Sequence, residues 1–398
     1  MVTPSVADRT QHFTESVIRE MTRLITLHHP DDGINLAQGF PDFPAPDEIK
    51  EAAIAAIRDD VNQYSVTWGA PALRAAVADK VARTTGLVVD PDREVTVTCG
   101  ATEAMIATLL ATVNPGDEVV IFQPFYENYW PDTVLAGASP RFVTLHEPDW
   151  RIDPDELSAA FGERTRAVVI NTPNNPTGKV FRRSELELIG GLCEHWNALA
   201  ITDEIYEHLV YEGEHVSLAT LPGLRERTVT ISGIGKSYSV TGWRVGYAVA
   251  PPALTDAIRK VHDFLTVGAP APLQAAAVAA LGQPDAYYRD YLAAYRERRD
   301  YLVASLQGAG FGCQPPAGAY YIMADISGFD FPDDVALAQY LVRERGLAVV
   351  PGTSFYPPPT RPDHRRPGSQ RVRFSFPKRM ETLQRAAERL ADLPRRPS

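Results

Sequence analysis

The sequence predicts an α/β protein: a large domain with a mostly parallel sheet flanked by helices, plus a smaller α+β domain. Three observations carry this. From about residue 45 to 290, runs with apolar residues at three-to-four spacing alternate with short β-branched runs, the pattern of strand–helix–strand units. After about residue 285 the texture changes to one long charged helix followed by isolated strands. The chain has 398 residues, 44% of them hydrophobic, which is enough for two cores. The boundaries read as 1–45 for an N-terminal arm with part of the small domain, 46–285 for the large domain and 286–398 for the small C-terminal domain.

In order along the chain, "APDEIKEAAIAAI" and "ALRAAVADKVART" read as amphipathic helices. "EVTVTCG" is a strand, "ATEAMIATLLATV" a helix, and "DEVVIFQP" and "RAVVINTP" are strands. A Ser184/Glu187 capping box is expected to open the helix "SELELIGGL". "ALAITDEIY", "RTVTISGIG" and "VGYAVAP" complete the large sheet. The long helix is "AYYRDYLAAYRERRDYLVASL"; "GAYYIMADIS", "GLAVVPG" and "RVRFSF" follow as strands and "METLQRAAERLADL" as the last helix. The proline-rich "YPPPTRPDHRRPGSQ" reads as a loop.

Composition removes several function classes. Thirty-nine basic against fifty acidic residues give a net charge of −11, with no like-charge block to serve a nucleic acid or a membrane surface. Small solutes are the expected partners. Cys99, Cys193 and Cys313 are few and far apart, so neither a disulfide framework nor a metal site is expected. The N-terminus has no apolar leader, and the longest aliphatic run, Ala275 to Leu281, falls short of the roughly 18 residues of a membrane helix. A soluble, cytoplasmic protein is expected.

Ligands of open α/β sheets sit beyond the carboxyl ends of the strands, and four unusual segments fall there. "CGATEA" turns from strand to helix, so the Ala101 and Thr102 amides face outward at the positive end of a helix dipole, a seat for phosphate. "NTPNNPTG" holds Asn171, Asn174 and Asn175 between prolines. "TDEIYEHLVY" puts Asp203 at a strand end. "SGIGKSYSVTGWRVGY" puts Lys236 after a strand, with Gly233 and Gly235 permitting close approach of a flat ring and Arg244 eight positions on, fit to fork a phosphate dianion. Singly, these read as an ordinary turn, a loop, a solvated cap and a surface lysine. One cofactor unites them: pyridoxal phosphate needs a lysine for its aldehyde, an acid for its ring nitrogen, a donor for its phenolate and a cradle for its phosphate.

At these residues the sequence resembles the fold-type I pyridoxal-phosphate aminotransferases of class I/II, whose lysine signature "GIGKSYSVTGWRVG" fits, and the resemblance covers nearly the whole chain. "INLAQGFPDF", "NQYSVTWGAPALR", "PFYENY" and "NTPNNPTGKVF" look most like the kynurenine, glutamine and methionine aminotransferase branch. The resemblance implies transfer of an amino group from an L-amino acid to a 2-oxo acid by a ping-pong route through pyridoxamine phosphate. By motif, Lys236 would bond the cofactor's aldehyde and then move the proton at Cα, Asp203 would pair with the ring nitrogen, and Asn175 and Tyr206 would bond the phenolate oxygen. Tyr126 would stack on the ring. Ala101, Thr102 and Arg244 would hold the phosphate, and Tyr64 would reach the phosphate of a neighbouring subunit, which implies a homodimer with shared active sites.

Arg373 of "RVRFSF" matches the family's arginine for the substrate α-carboxylate, assisted by Asn175 and the Gly39 amide; without the resemblance, Arg371 and Arg373 are equal candidates. Two departures stand out. Gly233 replaces a serine often found three residues before the lysine, with Ser232 one position earlier. Where the kynurenine branch lines its side-chain pocket with aromatics, this chain aligns Ile18, Thr102, Val267 and Gly268 and keeps only Phe355, which implies a wider pocket for methionine, glutamine or a basic amino acid. A lyase or cyclase of the same scaffold, such as a C–S lyase, would share all these residues. A transcriptional regulator on this fold would need a helix-turn-helix ahead of "INLAQGF", where little sequence stands.

Overall fold

The computed structural model describes residues 6–358 and 366–396, so the proline-rich run read as a loop falls partly outside the described residues. Near-continuous apolar runs such as "VVIF", "AVVI" and "ALAI" must be covered on both faces, and they form the centre of an eight-stranded sheet. Its spatial order is Val95–Thr98, Gly246–Val249, Thr228–Gly233, Leu199–Asp203, Thr165–Asn171, Glu118–Gln123, Ser139–His146 and Arg151–Ile152. From Thr228–Gly233 to Ser139–His146 every pairing is parallel; Gly246–Val249 and Arg151–Ile152 run antiparallel to their neighbours. One face is covered by Ala101–Thr112 and Pro252–Leu265, around Met105, Leu109 and Ile258, and the other by Arg183–His195, around Leu186 and Ile189.

The helix Arg183–His195 begins one residue before Ser184, so the Ser184/Glu187 box does not form. Glu185 accepts from the Arg182 amide at 2.9 Å and from Lys179 Nζ at 2.7 Å. The lysine's charge draws that carboxylate to the helix start and leaves Ser184 inside the first turn. Ser139–His146 and the helix Val17–His28 are absent from the sequence reading, although the helix has a clear amphipathic pattern, with Ile18, Met21 and Ile25 buried on one face.

The remaining elements build a second core. The helix Asp285–Gly308 leads into an antiparallel sheet of Tyr321–Asp325, Arg371–Ser375 and Val350–Pro351, with Asp334–Arg345 and Met380–Arg389 packed around Phe311, Leu341 and Phe374. "GLAVVPG" is not one strand: Leu347–Ala348 pairs in parallel with Ile34–Asn35, and Val350–Pro351 pairs with Arg371–Ser375. Among the described residues, no helix is long and apolar enough to cross a membrane.

The segment from Leu36 to Asp42 is stitched to this second core. Ser375 donates N–H and Oγ to the Leu36 carbonyl at 2.9 and 2.8 Å, Lys378 Nζ donates to Phe40 O at 2.8 Å, and Thr382 Oγ1 donates to Asp42 at 2.7 Å. Its other side faces the carboxyl ends of the large sheet.

Candidate active site

Parallel strands that end on one side of a sheet leave their next residues at its rim, and a cleft of about 430 Å³ opens there. After Thr228–Gly233 the chain turns tightly. A Cβ on Gly233 would lie 2.9 Å from Gly246 Cα and from Val245 O, so a serine fits there only if the backbone shifts. Ser232 points elsewhere and donates to Glu207 at 2.9 Å. Neither position therefore brings a serine hydroxyl to the cleft.

Lys236 lies in the cleft, donates Nζ to Gly39 O at 3.1 Å and sits 6.0 and 5.7 Å from the Tyr206 and Tyr320 rings. Burial above all, then the charges of Arg244 and Arg373, push its ammonium down to about 8, with Asp203 opposing. A neutral amine is what a nucleophile or base requires. Gly39 is closed in on its other side: a Cβ there would lie 2.3 Å from the Tyr321 hydroxyl, so only glycine lets this carbonyl reach the lysine.

Asp203, the last residue of its strand, is buried. Its carboxylate accepts from Tyr129 OH at 2.8 Å and from the Ile205 amide at 3.2 Å, yet burial outweighs both and raises its pKa. A cation brought beside it would relieve that cost. Tyr206 shares a 2.8 Å hydrogen bond with Tyr321 OH, and burial raises its pKa well above the usual value. Tyr126 borders the cleft edge-on to Tyr129, ring centroids 5.7 Å apart.

At the other end, Gly100 has φ +84° and starts the helix Ala101–Thr112. The Ala101 and Thr102 amides have no acceptor among the described residues. Arg244, with φ +56°, donates Nη1 to Thr241 O at 3.0 Å, and its Nη2 lies 2.4 Å from where a Cβ on Gly100 would stand. The glycine thus makes room for the guanidinium beside two open amides.

Arg373 is fully buried. Nη1 donates to Asn175 Oδ1 at 2.7 Å and Nη2 to Ala37 O at 2.6 Å; Tyr321 and Phe355 rings flank the guanidinium at 4.3 and 4.9 Å, and Nε has no partner. No carboxylate balances it among the described residues. Arg371, the rival candidate, is committed to ion pairs with Glu147 and Asp325. A buried guanidinium lacking an anion is the one poised to receive it.

Not every expected residue is here. Tyr64 is 88% exposed and lies outside the cleft of this chain. Phe355 backs Arg373 rather than lining the cleft. Of the four positions thought to shape the side-chain pocket, Ile18 and Thr102 line it, whereas Val267 and Gly268 do not; Gly268 sits against Thr67. Tyr129, Tyr321, Gln38, Glu127 and Arg19 also border the site and were missed, although the aromatic runs "PFYENY" and "GAYYIM" hinted at the two tyrosines.

Pyridoxal phosphate asks for four things, and each has a counterpart in what these residues leave unsatisfied. A neutral amine meets the aldehyde, a buried carboxylate the ring cation, hydroxyl and amide donors the phenolate, and Arg244 with two free amides the phosphate. The residues fit the group.

Residues 31–390 match the sequence profile of the family described as aminotransferase class I and II. The chain is 38% identical to human kynurenine–oxoglutarate transaminase 1 over 93% of its own length and 94% of that protein's. It is 38% identical to the methionine aminotransferase of Escherichia coli strain K12, covering 94% and 95% of the two chains. The solved N-succinyldiaminopimelate aminotransferase of Mycobacterium tuberculosis superposes with a TM-score of 0.92 at 37% identity over 97% and 99% of the chains.

Proposed function

The chain belongs to the aminotransferase class I and II family, and on that premise we propose that the cleft around Lys236 performs its chemistry, with each residue in the role set out below. The protein is a pyridoxal-phosphate-dependent transaminase of amino acids with the fold-type I architecture. Bound pyridoxal phosphate supplies the electron sink and carries the amino group between the two halves of a ping-pong reaction.

The protein's own part is holding and proton transfer. Ala101 and Thr102 amides and Arg244 bind the phosphate, Asp203 keeps a proton on the ring nitrogen, and Asn175 and Tyr206 donate to the phenolate oxygen. Tyr129 holds Asp203 in place by its hydrogen bond. Tyr126 covers the ring face. Arg373 forks the substrate's α-carboxylate, with Asn175 and the Gly39 amide beside it. Lys236 Nζ, its pKa lowered to about 8 so that the neutral form is reached without strong base, then takes the proton from Cα.

A homodimer in the cytoplasm is part of this reading. Tyr64 has no work in its own cleft and is exposed, as Phe264 and Val267 are. A second copy would bring Tyr64 to the phosphate and place Val267 and Gly268 against the partner's substrate pocket. The three-part division at residues 45 and 285 belongs to it too.

The observation that carries the proposal is one cleft lined by Lys236, Asp203, Arg244 and Arg373, in which burial and the two guanidinium charges lower the lysine's pKa to about 8. The test adds single amino acids to the yellow holoenzyme. Bleaching of the visible band with one equivalent of 2-oxo acid is expected; release of ammonia and pyruvate would instead mark a lyase.

A further inference from the structure

Three groups with no part in the chemistry above meet beside the turn at Gly100. Glu103 stands in the first turn of Ala101–Thr112, His262 in the last turn of Pro252–Leu265, and Thr67 in the segment between Tyr64 and Trp68. His262 is fully buried and Glu103 nearly so. His262 Nδ1 lies 2.6 Å from Glu103 Oε1, and Nε2 lies 2.7 Å from Thr67 O. Glu103 also accepts from the Cys99 amide and, at 2.7 Å, from Thr266 Oγ1.

A backbone carbonyl can only accept a hydrogen bond, and a carboxylate that already collects two donors accepts here as well. Both ring nitrogens therefore face acceptors. A neutral imidazole has one N–H to give, so only the imidazolium satisfies the two together. Burial disfavours charge on either partner, yet the bonds between them prevail, holding His262 above and Glu103 below its usual pKa. A carboxylate at a helix start and a cation at a helix end also suit the two helix dipoles. The other ionisable groups from the elements packed here are Asp263, whose charge favours the imidazolium, Arg259, which lies over the Trp68 ring at 5.0 Å, and the Cys99 thiol, pushed up chiefly by burial.

Resting on the readings of the Gly100 turn as the phosphate cradle and of Tyr64 as a residue lent to a second copy, we infer that His262, as an imidazolium, is a positioning residue for the cofactor: it fastens the segment carrying Tyr64 to the start of the helix that cradles the phosphate. When the proton leaves, one of the two acceptors loses its donor. The fastening is complete below the ordinary histidine value of 6.5 and is lost as pH rises through the raised value of the folded protein.

The test is the affinity of the full chain, freed of cofactor, for pyridoxamine phosphate, which has no aldehyde to bond Lys236. Kd is read by fluorescence from about pH 6 to about pH 10, across the range in which a raised histidine titrates. In Glu103→Gln the carboxamide can donate to Nδ1, so a neutral imidazole keeps both bonds at every pH. Titrations shared by wild type and variant cancel in the ratio of their Kd values. The two should bind alike at the acid end, and the wild type should fall behind by about fivefold at the alkaline end, the loss of one hydrogen bond. His262→Asn, which reaches one acceptor at most, should bind about fivefold more weakly than the wild type in acid and converge on it in alkali. Thermal midpoints check folding, and either ratio decides the matter should the other variant not fold. A ratio that stays flat across the range overturns the inference. Light scattering on the same samples separates it from the shared-site reading: a monomer whose ratio still changes with pH ends the reading of Tyr64 and keeps the tie from His262 to the cradle, whereas a dimer with a flat ratio loses the tie alone.

Discussion

The Lys236 amine loses its proton near pH 8, where an exposed lysine would still be an ammonium. The sign follows from the cause: burial and two guanidinium neighbours disfavour the charged form, so the reactive neutral form gains as pH rises and is complete above the shifted value. Covalent capture of pyridoxal phosphate by the apoprotein should accordingly speed up about tenfold per pH unit below 8 and level off above it. Stopped-flow absorbance between pH 6.5 and 9.5 reads this directly. A rate still climbing steeply at pH 9.5 would mean an ordinary, solvated lysine. The same residue shows what a sequence can disclose: a lysine directly after a β-branched run, flanked by glycines, places itself at a strand end with no help from distant residues. Its partners are harder to see, because Gly39 is 197 positions away and nothing local marks a carbonyl as special.

At the scale of elements, the end of the cleft proposed to hold the phosphate is a joint product of a strand-to-helix turn and the arginine facing it. Gly100→Ala would strain a backbone at φ +84° and thrust a methyl group at Arg244 Nη2, 2.4 Å away. Displacing the guanidinium from the helix start should weaken cofactor binding by more than tenfold, measured as the Kd for pyridoxal phosphate by fluorescence titration. An unaltered Kd in a folded variant would remove Arg244 from the cradle. The strands and helices around this turn were legible because alternation and three-to-four spacing are local. Side-chain pairings between elements were not: Tyr129 reaches Asp203 across 74 positions and Tyr206 meets Tyr321 across 115. The helix cap was misread for a related reason, since Lys179 lies outside the helix and selects Glu185 by charge. Val267 and Gly268 were placed in the pocket by alignment with relatives, a step that tells nothing of which chain's pocket they face.

For the whole molecule, two neighbouring stretches, 54–68 and 264–267, carry most of the exposed large apolar residues among those described. Tyr64 is 88% and Phe264 91% exposed, and the segment between Tyr64 and Trp68 is fastened beside the second stretch, with Ser65 accepting from Gln274 at 2.9 Å and Thr67 O bonded to His262 at 2.7 Å. On the homodimer reading proposed above, this patch is the surface that a second copy covers. Light scattering at assay concentration should give twice the chain mass of 43.7 kDa. A fully active species at the single-chain mass would end the shared-site reading. The bond from Arg373 to Ala37 spans 336 positions and has a different consequence. A polypeptide is made from its N-terminus, at roughly 5–20 residues per second. Every group assigned to the cofactor has been synthesised by Arg244, while Arg373 emerges only near the end of translation. On the roles proposed above, the nascent protein holds the parts for its coenzyme well before it holds the arginine proposed to grip an amino acid, and that arginine lies on the last strand to leave the ribosome.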